Sequence, residues 1–269
     1  MLLACTATAT PALAQSGRSV HPDPPRSVRA AARTTPIVLD GRLDEAAWQA
    51  AEPATDFTQS QPDEGRPATQ RTEVRFLYDD EAIWIGARMY DELGAAGVRT
   101  RLVRRDREAD SDLLIIVFDT YHDHLGRTEF TINPSGVKGD ALGPGNASLD
   151  PAWDPVWQAA TAIDSLGWAA ELRIPLSQLR FPRDSVQTWG LQVVRFVSRL
   201  NERSHWAFWR LNESGGPARY GHLEGARPHR EPAARRGAAL RRRQNRAPPA
   251  RGPERPVPRR QRRRLPHRR

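Results

Sequence analysis

The chain has 269 residues, enough for one domain of about 200 residues with additions, or for two small ones. Hydrophobic residues make up 38% of it, low for a chain folded from end to end, and the shortfall is concentrated in the last 44 positions. Residues 226–269 hold 17 Arg against Glu231 and Glu254 only, a charge of +15, so the net +9 of the whole chain leaves −6 on residues 1–225. The basic character belongs to the tail, which removes any electrostatic argument for a nucleic-acid partner of the body.

Lys138 is the only lysine among 41 basic residues, a mark of GC-rich coding rather than of function. Cys5 is the only cysteine, so the stability of the body must come from packing and not from an internal disulfide. Residues 1–14 read as a signal peptide: Leu2, Leu3 and Ala4 open an apolar run, and Ala12-Leu13-Ala14 before Gln15 is an A-x-A cleavage pattern. Export to the periplasm, outer membrane or exterior is therefore expected. A positive segment before the apolar run is missing, as in a truncated signal. Leu2-Leu3-Ala4-Cys5 also fits a lipoprotein box, but lies close to Met1. No run approaches the ~18 apolar residues of a membrane-spanning helix.

Residues 15–35, rich in Pro, Arg, Ser and Ala, read as a linker. The body is expected over 36–225 and opens with a short strand at 36–40, closed by Asp40-Gly41. Leu43, Ala46, Ala47 and Ala50 then recur at helical spacing, which predicts one short helix within 43–51. From there the period is two. Val74, Phe76 and Tyr78 alternate with polar neighbours over 72–78, Asp79-Asp80 turns the chain, and 82–90 returns as the second arm of a hairpin. Further strands are predicted at 113–120, 127–133, 157–164, 168–174, 189–199, 205–210 and 220–223. So many short strands with almost no helix give an all-β fold, an antiparallel β-sandwich of jelly-roll type. Residues 226–269, without an aromatic residue or alternation, cannot bury enough apolar surface to fold. They read as a disordered tail produced by a frame-shift in a GC-rich gene; a basic arm for anionic surfaces is the other reading.

Four phrases carry a resemblance. They are Pro36-Ile37-Val38-Leu39-Asp40-Gly41-Arg42-Leu43-Asp44-Glu45-Ala46-Ala47-Trp48, Thr72-Glu73-Val74-Arg75-Phe76-Leu77-Tyr78-Asp79-Asp80, Gly167-Trp168-Ala169-Ala170-Glu171-Leu172-Arg173-Ile174-Pro175 and Tyr220-Gly221-His222-Leu223. Together they resemble the family 9 carbohydrate-binding modules, found in xylanases. With Arg104-Arg105-Asp106, Asn133-Pro134-Ser135-Gly136, Trp153-Asp154-Pro155-Val156-Trp157 and Leu179-Arg180-Phe181-Pro182, the chain looks most like the N-terminal domain of large exported bacterial proteins. Those continue into a region resembling an outer-membrane barrel. The resemblance implies a jelly roll, glycan binding without catalysis, and a setting of polysaccharide breakdown by O-glycosyl hydrolases or of cell-surface glycan handling. It also implies an alternative, a structural domain that docks on a membrane barrel. The family clamps sugar between two tryptophans, and this sequence has Glu108-Ala109-Asp110-Ser111 and Gly215-Gly216-Pro217 at the two positions.

Other residues are therefore the candidates for a glycan or surface polymer. Trp153 and Trp157 flank Asp154 and would form an aromatic platform with the carboxylate accepting hydroxyl hydrogen bonds. Trp206 shares one face of the predicted strand 205–210 with Phe208, while Trp209 lies on the other. Arg104, Arg105 and Asn133 would supply hydrogen bonds. Asp119, His122, Asp123 and His124 form a compact group whose residue types suit a metal ion, with calcium the cation if carboxylates alone serve; Asp40 and Asp44 are a second carboxylate pair. No G-x-S-x-G, phosphate loop or cysteine-based metal motif is present, so no catalytic residue is named. Some sandwiches of this kind bind haem between Met and Lys; Met89 and Lys138 are the pair available here, and core packing is the other reading of Met89.

Overall fold

Period-two alternation becomes two sheets packed face to face in the computed structural model, which describes residues 25–106, 110–145, 148, 150 and 152–227. Strands β1 (Ser27–Arg29) and β2 (Ala31–Ala32) precede the short α-helix α1 (Ala46–Gln49), β3 (Thr58–Gln61) and the hairpin of β4 (Thr72–Tyr78) and β5 (Ala82–Tyr90). Then come β6 (Leu113–Asp119), β7 (Gly126–Ile132), β8 (Lys138–Pro144), β9 (Gln158–Asp164) and β10 (Gly167–Pro175). The series closes with β11 (Gln187–Val197), β12 (Glu202–His205) and β13 (Gly221–Ala226). One sheet runs β2-β4-β5-β10-β9. The other runs β1-β13-β11-β6-β7-β8, with β12 added to β11 and β3 to β12. The expected all-β sandwich with one short helix is what the chain forms.

The core lies between the sheets because each strand turns alternate residues inward. Val74 and Phe76 of β4 meet Leu114, Ile116 and Phe118 of β6, Phe130 of β7 and Trp189, Leu191 and Val193 of β11 in one cluster. Phe118 is its hub, with edge-to-face contacts to Phe76, Phe130 and Trp189 at ring separations of 6.5, 6.4 and 5.6 Å. Each such side chain contributes ~1.5–3 kcal/mol by burial, and ring contacts add to that.

Arg195 of β11 ties the two sheets together at one end. It is 1% exposed, and its guanidinium donates to the carbonyls of Arg71 at 2.9 Å and Tyr90 at 2.7 Å and to Thr72 Oγ1 at 3.1 Å, all on the opposite sheet. Burial lowers its pKa to about 10, so it stays charged at neutral pH, with Asp112, Asp91 and Glu202 in support.

A buried carboxylate dresses the outer side of the five-stranded sheet. Glu171 of β10 points away from the core and is 0% exposed, because the segment from Asp40 to Trp48 lies across it. Its Oε2 accepts from the N–H groups of Asp40 and Gly41, each at 2.9 Å, and its Oε1 from Trp48 Nε1 at 3.1 Å. Trp48 lies on Gly86, where a Cβ would come within 2.7 Å of the indole. Gly41 has φ +84 and its Cα faces the backbone of Thr161 and Ala162, so no side chain fits there.

Several expectations are corrected. Residues 36–40 form no strand: Ile37 and Leu39 pack with Trp48 and Trp84 as an extended cover. The linker expected over 15–35 becomes sandwich from Ser27, where the chain crosses from β13 in one sheet to β4 in the other. Those two strands hold three and two residues, too few to show a period. The sandwich accordingly extends from Ser27 to Ala226, beyond the 36–225 expected at both ends. The strand expected at 205–210 ends at His205, and Trp209 instead packs on Gly215, leaving no room for a Cβ there. β3 and β8 were not expected; β8, Lys-Gly-Asp-Ala-Leu-Gly-Pro, has almost no strand-forming residues and is held by pairing with β7. The signal peptide of 1–14 lies outside the described residues, as does the tail from residue 228.

Two outcomes follow. Phe118→Ala should cost ~3–5 kcal/mol in urea denaturation; a loss near that of a surface substitution would contradict the hub. Burial raises the Glu171 pKa from 4.5 to about 7 against the pull of its three N–H partners. The folded state therefore holds this proton longer than the unfolded chain, so its contribution is full below 4.5 and is lost as pH rises through about 7. Asp112, raised by burial to about 6, acts in the same direction at lower pH. Calorimetric melting of Glu171→Gln should lose the part of the downward slope above pH 6, and an unchanged slope would contradict the assignment.

Candidate functional site

Because Leu114, Ile116, Phe130 and Val193 face the core, their neighbours must face outward across the eight-stranded sheet. Register brings them into rows: Phe196 of β11 stands opposite Leu113 of β6 and Arg203 of β12. Val117 pairs with Glu129, and Ile115 with Thr131, of β7. Gly139 and Ala141 of β8 complete those rows with almost no side chain. Large residues on β11 and β12 and small ones on β8 leave an open cleft of about 570 Å³ across this face.

The cleft joins an apolar strip to a charged pair. Leu113, Ile115 and Phe196 are half-buried, and the Arg203 guanidinium lies over the Phe196 ring at 5.6 Å. Burial pushes the Glu129 carboxyl upward, opposed by Arg127 and Arg203, so acceptor and donor charges share one partly desolvated surface. His205 lies outward beside them; burial and Arg203 lower it to about 4, so it is neutral at neutral pH. Its ring meets Trp209 edge to face at 5.4 Å.

One end of the cleft is closed by a brace of polar groups. Asp140 of β8 is 5% exposed; its Oδ2 accepts from Trp157 Nε1 at 3.0 Å and from Arg105. Arg105 also donates to the Pro155 carbonyl at 3.0 Å and pairs with Asp154 at 2.9 Å. Lys138 donates to the Trp157 carbonyl at 2.8 Å. Asp106 caps the edge of β8, with its N–H on the Lys138 carbonyl and its Oδ1 accepting from the Asp140 N–H.

The expected site residues separate. Trp153 and Trp157 form no platform: Trp157 is 2% exposed and packs edge-on against Phe130 inside the core. Trp153 is half-buried at a different cleft, of about 300 Å³, which it shares with Tyr121 and Arg180 at one end of the sandwich. Trp206 is core too, capped by Arg26 at 5.4 Å. Asn133 is spent on its turn, accepting from Ser135 and Val137 and donating to the Arg101 carbonyl. Arg105 and Asp154 pair with each other at the end of the cleft, and Arg104 is exposed. Only Asn133 of these lines the large cleft.

The metal group also comes apart. Asp119 Oδ2 accepts from the His124 N–H at 2.8 Å and Asp123 Oδ1 from Leu125 N–H at 2.9 Å, so both carboxylates serve their own turn. His122 turns to His222 of β13. Among the described residues no group of three His, Cys, Asp or Glu is placed to hold a metal ion. Asp40 Oδ1 accepts from Arg42 N–H, and Asp44 is exposed. The haem pair fails as well: Met89 is 0% exposed in the core, and Lys138 is engaged by Trp157.

Sequence reasoning missed Glu129, Arg203, Phe196 and Ile115. Two signals pointed there: the unbroken apolar run 113–118, which makes both faces of β6 apolar, and Glu129 and Thr131 alternating with Phe130 and Ile132.

No protein-family model matches the sequence, and no curated protein matches it. Solved structures do share its fold. A family 9 carbohydrate-binding module from Caldicellulosiruptor kristjanssonii in complex with cellotriose superposes with a TM-score of 0.54 at 17% identity, over 74% of this chain and 93% of that one. The same organism's module in complex with glucose gives 0.55 at 16%, over 77% and 100%. A protein of Bacteroides uniformis gives 0.60 at 13%, over 74% and 99%. The sandwich therefore has the fold of the family 9 carbohydrate-binding modules.

Proposed function

We propose that the outer face of the eight-stranded sheet binds a glycan. The observation that carries this reading is the apolar strip of Leu113, Ile115 and Phe196 set beside Glu129 and Arg203 in an open cleft. Sugars present apolar C–H faces and hydroxyl edges, and such a surface offers a partner to each. Glu129 would accept hydroxyl hydrogen bonds and Arg203 would donate them, at ~1.5–3 kcal/mol for each bond to a charged group. The sandwiches of the same fold in complex with cellotriose and glucose support a glycan as the ligand class. The reading is one of binding by an exported domain, with export resting on Ala12-Leu13-Ala14, in a setting of polysaccharide breakdown or surface-glycan handling.

Docking on a membrane barrel is the second reading, and one observation favours it: Tyr121, Leu125 and Val156 are 53, 69 and 75% exposed on the described surface.

Calorimetry with xylo- and cello-oligosaccharides separates the two. Arg203→Ala and Glu129→Gln should each weaken binding about tenfold or more while leaving the melting temperature near that of the parent. Because the Glu129 pKa is raised, affinity should fall as pH drops through that raised value and recover above it. Saturable heat that persists unchanged in both variants would place the sugar elsewhere, and no heat from the folded parent would favour docking.

A further inference from the structure

The seven histidines of the chain are not spread evenly, for three of them meet at one corner of the sandwich. His122 and His124 lie on the turn between β6 and β7, and His222 lies on β13, two strands away across the sheet. The His122 ring stands edge-to-face to His124 at 5.1 Å and to His222 at 4.6 Å. His122 and His222 bring their Nε2 atoms to 3.1 Å. His122 and His124 have φ values of 51 and 62, in the left-handed region that Asn, Asp and His occupy more often than other non-glycine residues.

A pair of imidazole nitrogens at this spacing has the bite of a chelate. With metal–nitrogen bonds of ~2.0–2.1 Å, two ligands on one cation stand about 2.9 Å apart in a square-planar site and about 3.4 Å apart in a tetrahedral one. The observed separation lies between these limits. We propose that His122 and His222 chelate a divalent transition-metal cation of the copper–zinc class, fastening the β6–β7 turn to β13. Neutral imidazole is the ligand form. In the metal-free pair one Nε2 carries the proton of the N–H···N contact; on binding, that proton moves to Nδ1 of the same ring, so both Nε2 lone pairs face the cation and no net proton is lost.

The surroundings agree with this chemistry. Burial and the neighbouring rings lower the His122 pKa, and burial lowers that of His222, so both rings favour the neutral form. The carboxylate of Asp119 acts electrostatically on His122 and that of Glu224 on His222, which lends the corner a negative field. Imidazole donors select against calcium, which takes oxygen ligands. Water would complete the coordination, because His124 directs its Nδ1 to the Pro217 carbonyl at 3.2 Å.

The test uses the full chain and Cu²⁺, the strongest binder in this metal series. Cu²⁺ is titrated calorimetrically into the parent, His122→Asn and His222→Gln, and the bound copper is examined by electron paramagnetic resonance. Asn tolerates the left-handed backbone at position 122, so this variant keeps the turn, and it decides the matter alone if His222→Gln fails to fold. The expected result is one binding equivalent in the parent with nitrogen hyperfine structure from two imidazoles, weakened about tenfold or more in either variant. Zn²⁺ should raise the melting temperature of the parent but not of the variants, and Ca²⁺ should raise neither. Copper stoichiometry and affinity unchanged in His122→Asn would overturn the proposal and assign any bound copper to the other histidines.

Discussion

A single buried carboxylate holds a cover over one of the two outer faces of this sandwich. Two packed sheets have two outer faces, and either one is a potential binding surface. On the five-stranded sheet, Glu171 collects two backbone N–H groups and the Trp48 indole, so the segment carrying them lies flat across the strands. Among the described residues the eight-stranded sheet has no such cover over Phe196, Ile115 and Glu129, and its outward rows stand open. The other open ground on the five-stranded sheet, a cleft of about 550 Å³ near Tyr90, differs in kind: Arg88 is paired with Asp164, Arg75 with Glu73, and Arg71 lies on the Tyr90 ring at 3.8 Å. Charges already paired have less to offer a sugar than Glu129 and Arg203, whose influence on each other is exerted through space and not through contact.

The same logic explains why the most visible aromatic residues lie inside the sandwich. A sandwich without disulfides depends on apolar packing, and indoles bury the most surface. Trp157, Trp168, Trp189 and Trp206 are accordingly core residues. The Trp-Asp-Pro-Val-Trp phrase works as a hinge pin: Trp157 enters the core and gives its N–H to Asp140, while Asp154 and the Pro155 carbonyl hold Arg105 from outside. Asp140 is thus the point through which two loops and β8 are fixed at one end of the cleft. These residues fix the geometry of that end of the cleft.

Legibility follows the strength of the local signal. The hairpin β4–β5 was readable to the residue, because alternation and the Asp79-Asp80 turn agree. β8 and the two shortest strands were not, since their pairing is imposed by neighbours and their composition is that of loops. At the site, period and register are different kinds of information. Alternation tells that Glu129 and Thr131 share a face; it does not tell that Phe196 and Arg203 stand beside them, which depends on β11 lying between β6 and β12. Asn133 was singled out for its amide, yet a turn between β7 and β8 uses every polar atom of that side chain. His222 was likewise invisible as a partner of His122, a hundred residues earlier.

The outer face of the eight-stranded sheet is the proposed binding surface, and amide chemical-shift mapping tests that most directly. With ¹⁵N-labelled protein titrated with a cello- or xylo-oligosaccharide, the account predicts saturable shifts confined to the rows around Ile115, Glu129, Thr131, Phe196 and Arg203. Shifts centred instead on Tyr121 and Trp153, or on the Tyr90 cleft of the other sheet, would contradict it.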